Sequence, residues 1–208
     1  RTGGPVPSIL VFADLHLGRP GAPGLEWALD MLSKASHRAS ACVCLGDIID
    51  RAADPGRYLP QAYAVMERAC EFFAEVHFIS GNHDVHHELQ LPEAVRVHST
   101  EVHSFECAGA TVLTAAVATD PDPRELTFPP RTADGTLIGL LHSSVTGEYS
   151  KGTCLPLTPQ TLSATGADAW VLGHVHTPEV LSQDPFIGWV GMGKAVLVDV
   201  PSATITRL

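Results

Sequence analysis

Ser8-Ile9-Leu10-Val11-Phe12-Ala13-Asp14-Leu15-His16 is the stretch that decides the fold: a short apolar run stops on a small residue and gives way to a carboxylate and an imidazole two positions apart. A run this short and this apolar predicts a buried strand rather than a helix. Immediately after it, Leu25, Ala28, Leu29, Leu32 and Ala35 recur at helical spacing, and Ala41-Cys42-Val43-Cys44-Leu45 predicts a second strand. A second helix follows, with Ala62, Val65, Met66, Ala69 and Phe73 on its inner face, then a third strand over Val76-His77-Phe78-Ile79. Strands alternating with helices of this length predict parallel strands joined by right-handed crossovers, with the helices outside.

The second half is richer in strands. Val95 to His98, Val102 to Phe105, Thr111 to Val117, Leu137 to Leu141 and Ala169 to Leu172 read as strands, a short helix is predicted over Pro159 to Ala164, and Val180 to Thr206 reads as hairpins. Two sheets packed face to face accommodate this pattern. Thr119 to Gly135 is irregular because Pro121, Pro123, Pro129 and Pro130 exclude regular structure, while Asp120, Asp122, Arg124 and Arg131 are expected to keep it solvated. It reads as a plain surface loop or a lid over a site.

Composition narrows the class. The 208 residues, 45% hydrophobic and 17% charged, fit one domain over 1–208. A net charge of -10 offers no bulk attraction to nucleic acid or an anionic membrane, so a polyanionic substrate must be met locally. Apolar runs fall far short of a membrane span and no basic start precedes an apolar stretch, so no membrane partner and a cytoplasmic location are expected. A start at Arg1 instead of methionine leads us to expect a trimmed or processed N-terminus. The five cysteines include no CxxC pair and are expected to be reduced, with Cys42 and Cys44 as small buried hydrophobes.

Five apolar runs end in a small step followed by metal-ligating residue types: Ala13-Asp14-Leu15-His16, Gly46-Asp47-Ile48-Ile49-Asp50, Gly81-Asn82-His83-Asp84, Leu140-Leu141-His142 and Gly173-His174-Val175-His176. In open α/β sheets ligands gather beyond the carboxyl ends of strands, so these loops are expected to converge on one site. Two closely spaced divalent cations need a bridging carboxylate and a mixed shell of imidazole and oxygen donors. Asp14 with His16, or His174 with His176, either grips one cation together or splits across two.

In this order, DxH, GDxxD, GNHD, a lone histidine and GHxH resemble the calcineurin-like metallophosphoesterase superfamily over Asp14 to His176. The resemblance implies an α/β, four-layer αββα sandwich of two mixed sheets carrying a dinuclear metal site. It implies Asp14, His16 and His176 on one metal, Asn82, His142 and His174 on the other, and Asp47 bridging. The implied cofactors are two divalent metal ions, with Mn foremost and Fe, Zn, Ni or Co suited to the same donors. Metal-activated hydroxide would cleave a phosphoester, His83 would protonate the leaving oxygen as an imidazole held cationic by a nearby carboxylate, and Asp50 would orient it. Arg51 resembles the phosphate-gripping arginine of phosphoprotein phosphatases, a surface salt bridge being the other reading, and Arg19 would join it at the substrate. Asp84 is expected to cap a loop, His86 and His87 to lie in a loop near the cleft, and His37, His77, His98 and His103 to be structural.

Within the superfamily, Asp14-Leu15-His16-Leu17-Gly18-Arg19 and Gly173-His174-Val175-His176-Thr177-Pro178 look most like the SbcD-type DNA repair exonucleases, which implies cleavage of DNA. Those nucleases are much longer, and three lysines in a chain of charge -10 provide no basic groove. The favoured expectation is therefore hydrolysis of a nucleotide or other small phosphoester. A nuclease is the alternative, and a non-catalytic scaffold of the same fold is a minor one. Oligomeric state is not legible.

Overall fold

The computed structural model describes residues 6–132 and 134–208; the Arg1 start and position 133 of the irregular loop lie outside them. In the first half, β1 (Ser8–Phe12), β2 (Ala41–Cys44) and β3 (Glu75–Phe78) are parallel neighbours, connected through α1 (Gly24–Ala35) and α2 (Pro55–Phe72). Helix α2 starts where the sequence provides a start: Asp54 accepts from the Gly56 amide at 3.2 Å, and Pro55 occupies the first helical position, where no donor is missed.

The second half supplies β4 (Arg96–Val97), β5 (His103–Cys107), β6 (Ala110–Thr114), β7 (Leu137–His142), α3 (Pro159–Ala164), β8 (Ala169–Gly173), β9 (Val180–Gln183), β10 (Phe186–Trp189), β11 (Ala195–Asp199) and β12 (Thr204–Arg207). Two mixed six-stranded sheets result, ordered β12-β11-β1-β2-β3-β4 and β5-β6-β7-β8-β10-β9. The division is not by halves of the chain: β4 and the β11/β12 hairpin return to the first sheet.

Three apolar clusters mark the layers. Alternate residues of β1 and β2, namely Leu10, Phe12, Cys42 and Cys44, pack under Ala28, Leu32, Val65 and Met66 of the two long helices. Their neighbours Ile9, Val11, Ala41 and Val43 face Val112, Ile138, Leu140 and Val171 of the second sheet. Outside that sheet, Leu162 of α3 covers Leu141, Trp170 and Trp189. This is the αββα sandwich, and strand alternation accounts for it, since the central strands β1, β2, β7 and β8 are buried on both faces. All five cysteines are free thiols and four are buried. Among the described residues no helix is long and apolar enough to cross a membrane.

Registers level the strand ends. Phe12 pairs with Cys44, Cys44 with Phe78, and His142 with Gly173, so the loops after β1, β2, β3, β7 and β8 leave the sandwich at one rim.

Candidate metal centre

At that rim the loops after β1 and β2 zip together through their backbones: Asp14 N–H donates to Gly46 C=O at 2.9 Å and His16 N–H to Asp47 C=O at 2.9 Å. The loops after β2 and β3 meet more tightly still. A Cβ on Gly81 would lie 2.3 Å from Asp47 Oδ1, and one on Gly46, whose φ is +85°, would lie 2.6 Å from the Gly81 nitrogen and from His142 Nδ1. The glycine steps in these motifs are therefore required by contact between loops as well as by backbone conformation.

Asp84 fastens this junction from below. Buried, it accepts from Asp47 N–H at 2.6 Å, Gly81 N–H at 2.7 Å and Ile48 N–H at 3.0 Å, as the capping reading expects. Burial and the Asp47 charge push its carboxyl up to about 7, against the pull of the Gly81 and Asp47 amides. Replacing it by alanine strands several buried donors, at a cost on the order of 3 kcal/mol or more. Asp84→Ala is expected to lower Tm sharply while Asp84→Asn retains part of the loss; equal melting of Asp84→Ala and wild type in a thermal scan would remove the fastening role.

The side chains converge around Asp47. Its Oδ2 lies 3.5 Å from His16 Nε2 and 3.2 Å from His142 Nε2, and its Oδ1 accepts from His83 N–H at 2.8 Å. On one flank His16 Nε2 stands 3.5 Å from Asp14 Oδ1 and 3.0 Å from His176 Nε2; on the other, Asn82 Oδ1 lies 3.2 Å from His142 Nε2 and 3.1 Å from His174 Nδ1. All seven residues read as metal ligands are thus brought together. Asp14, His16, Asp47 and His174 do so in the left-handed backbone region, at φ of 56°, 44°, 55° and 100°.

Chemically this is a place for positive charge. Asp14 Oδ1, on a fully buried residue, has no hydrogen-bond partner. His142 Nδ1 lies 2.8 Å from the Leu45 carbonyl and so donates to it, which leaves Nε2, facing Asp47 and Asn82, as the nitrogen that holds either a proton or a cation. Burial pulls His142 down, but Asp47 and Asp14 outweigh it and raise the ring to about 10. Groups of Asp14, His16 and His176, and of Asp14, Asp47 and His142, each offer ligand atoms within 4.8 Å of one another. An orphaned carboxylate oxygen, imidazole nitrogens aimed inward and a mixed N/O donor set fit two divalent cations, which would take the place of protons on those rings.

Asp50 Oδ1 lies 3.1 Å from both His16 Nδ1 and His83 Nδ1, so it touches the ring it was expected to orient and a ligand ring as well. Burial lowers the His83 pKa from its ordinary value and His16 and Arg51 add to that, while Asp47 and Asp50 pull the other way. Arg51 is exposed and makes the expected salt bridge at the mouth of the cleft. It reaches Asp120 Oδ2 at 2.8 Å and His83 Nε2 at 3.2 Å, and with Arg19 it lines a cavity of about 680 Å³ open over Asp47 and Asn82. His86 contacts the same Asp120 oxygen at 2.7 Å, and His87 Nε2 lies 2.8 Å from the Asp50 carbonyl, so both are tied down beside the cleft.

The irregular loop departs from expectation. Asp122 is buried, accepting from Ala118 N–H at 2.8 Å and from Arg124 at 2.9 Å, while Arg124 also donates to the carbonyls of Thr100 and Ala116. Paired charges and satisfied carbonyls make that burial tolerable, and the loop start is thereby fixed as a wall of the cleft. Residues not singled out from sequence complete that wall: Asp120, and Tyr149, Ser150 and Lys151 of the loop after β7, with Ser150 Oγ 3.1 Å from His174 Nε2.

A model of the family described as calcineurin-like phosphoesterase matches residues 7–178. No curated protein sequence matches the chain at a significant level. Among solved structures, a dimetal phosphatase from Danio rerio superposes with a TM-score of 0.62 at 11% identity, covering 98% of this chain and 99% of that one. The phosphopantetheinyl hydrolase of Mycobacterium tuberculosis superposes with a TM-score of 0.55 at 11% identity, over 97% and 95%. A Thermus thermophilus protein does so with 0.57 at 14%, over 97% of each. At these identities the likeness is one of fold.

Proposed function

The chain belongs to the calcineurin-like phosphoesterase family, and within it we propose a self-contained hydrolase that cleaves a nucleotide or another small phosphoester. The observation that carries the reading is Asp47 set between two groups of donors, Asp14, His16 and His176 on one side and Asn82, His142 and His174 on the other. Two divalent cations held there, Mn first among them, would supply charge neutralisation at the phosphoryl group and a water made nucleophilic near neutral pH. Asp47 would touch both, and the His16 and His142 rings are held for ligation by Asp50 and by the Leu45 carbonyl.

Around that centre the chain's own groups bind and orient. Arg19, Arg51 and Lys151 line the cavity and bring cations to a chain that is acidic overall. Arg51, turned to the cleft by Asp120, is placed to donate to a phosphate oxygen, and His83 beside it to give a proton to the leaving oxygen, with Asp50 holding the ring. A volume of about 680 Å³ suits a ligand of nucleotide size, and Tyr149, 41% exposed at the rim, offers a face for a base or aryl group.

Arg51→Ala is expected to raise KM for a small phosphoester about tenfold with kcat little changed, the size of one lost charge-assisted contact. An unchanged KM would leave Arg51 as a partner of Asp120 alone. The reading as a whole is tested with chelated, Mn-reloaded protein on bis-p-nitrophenyl phosphate, p-nitrophenyl phosphate and linear DNA, with a His83 variant as blank. Turnover confined to the small esters supports the proposal; cleavage of DNA lost in the blank would favour the SbcD-like reading, and silence on all three a scaffold.

A further inference from the structure

Among the described residues two buried side-chain polar atoms lack a hydrogen-bond partner: Asp14 Oδ1, in the centre above, and His77 Nε2. The second lies on β3, on the face turned to the other sheet. Val76 and Phe78 on either side of it pack toward the helices, whereas His77, fully buried, tilts against Phe105 of β5 with ring centroids 4.6 Å apart.

A chain of rings fixes which way this atom is protonated. His103 Nδ1 lies 2.8 Å from the Glu101 carbonyl, which can only accept. His103 Nδ1 therefore carries the proton, and its Nε2 accepts from His98 Nδ1 at 2.8 Å. His98 Nε2 in turn accepts from His77 Nδ1 at 2.9 Å. Burial keeps His77 and His98 neutral, holding them at about 4 and about 3. The three rings thus form a one-way relay that ends in a bare lone pair at His77 Nε2. A second nitrogen anchored in this manner is the outer support that metal-ligating histidines use.

Two anionic ligand types face that lone pair. Glu75 Oε2, steadied by the Ala108 amide at 3.2 Å, is 3.9 Å away, and Glu75, His77 and Cys107 each place one ligand atom within 4.8 Å of the others. A tetrahedral ion with bonds of roughly 2.0–2.3 Å sets its ligand atoms roughly 3.3–3.8 Å apart, so side-chain shifts of about an ångström close the site. Cys107 is buried, and burial with the Glu75 carboxylate pushes its thiol up. A cation in the cluster would reverse that effect.

We propose that Glu75, His77 and Cys107 form a mononuclear site for a divalent cation of the zinc class, with a water as fourth ligand. Thiolate and imidazole together select that class over Mg or Ca. Binding replaces the Cys107 thiol proton, which leaves to solvent, and nothing is oxidised or reduced. Because β3 is in the first sheet and Cys107 ends β5 in the second, the ion joins the two sheets between strands near their edges. Arg96, across from His77 on β4, is exposed, and its charge favours the Cys107 thiolate and the neutral His77 ring that a cation needs.

The site stands apart from the phosphoesterase reading, and the test keeps them separate. Chelated protein is reloaded with Co(II), and cobalt per chain and the near-ultraviolet thiolate-to-cobalt absorption band are measured for wild type, Cys107→Ala, Cys154→Ala, Asp47→Ala and Glu75→Gln. We expect the band in wild type, Cys154→Ala and Asp47→Ala. Cys107→Ala should lose it together with one equivalent of cobalt, keeping turnover of bis-p-nitrophenyl phosphate within about twofold; Glu75→Gln, which leaves the thiol in place, should weaken the cobalt that gives the band about tenfold or more. No band in wild type, a band that survives Cys107→Ala, or one lost in Cys154→Ala or Asp47→Ala would overturn the site.

Discussion

Asp47→Ala is expected to lower both metal content and phosphoester turnover, the latter by about 10³-fold or more. The carboxylate stands 3.5 Å from His16 Nε2 and 3.2 Å from His142 Nε2, and no other side chain lies that close to both rings among the contacts described. Its loss removes the group common to both proposed cations and leaves His16 Nε2 with Asp14 and His176, and His142 Nε2 with Asn82 and, at 4.0 Å, Asp14. The loop itself survives the change, since Asp84 holds it through the Asp47 backbone amide, which alanine retains. Elemental analysis after chelation and Mn reloading decides the matter: two Mn per chain in the variant would contradict the bridging position.

His83→Asn separates metal binding from proton transfer. The ring contacts Asp50 and Arg51 and lines the cavity, but the donor groups flanking Asp47 are complete without it. Metal content should therefore stay near wild type while kcat falls about 10²-fold or more on an ester with a poor leaving group. The loss should shrink on p-nitrophenyl esters, whose leaving oxygen needs no proton. Equal losses on both kinds of ester would move His83 from acid to phosphate positioning, and unchanged turnover would remove it from the reaction.

Much of this arrangement is legible in the sequence because each strand announces its end. Phe12-Ala13-Asp14 and Leu45-Gly46-Asp47 stop on small residues that the loops need for contact, and Thr158-Pro159 marks the start of α3, where Thr158 accepts from Thr161 N–H at 3.1 Å. Partnership between strands is not written locally. Val95 to His98 and the final hairpin are apolar enough for either sheet, and only tertiary packing assigns β4, β11 and β12 to the first. The role of Asp120 is hidden for a similar reason. A lone aspartate before Pro121 carries no spacing signal, and its meeting with Arg51 and His86 depends on the buried Asp122–Arg124 pair two residues on. His77 reads as structural because it alternates with Val76 and Phe78, which is correct for its burial but silent on what its ring faces.

The left-handed backbone at Asp14, His16, Asp47 and His174 has a consequence for anyone who would redesign this protein. His16 and His174 hold a conformation that disfavours side chains by about 1–2 kcal/mol, a cost that Asp14 and Asp47 bear more easily as aspartates. A selection for heat resistance alone, blind to catalysis, should therefore drift toward glycine or asparagine at His16 and His174 and yield sturdier, inert proteins. Screens for robust variants of this chain need an activity gate, because its weakest points as a scaffold coincide with its proposed working parts.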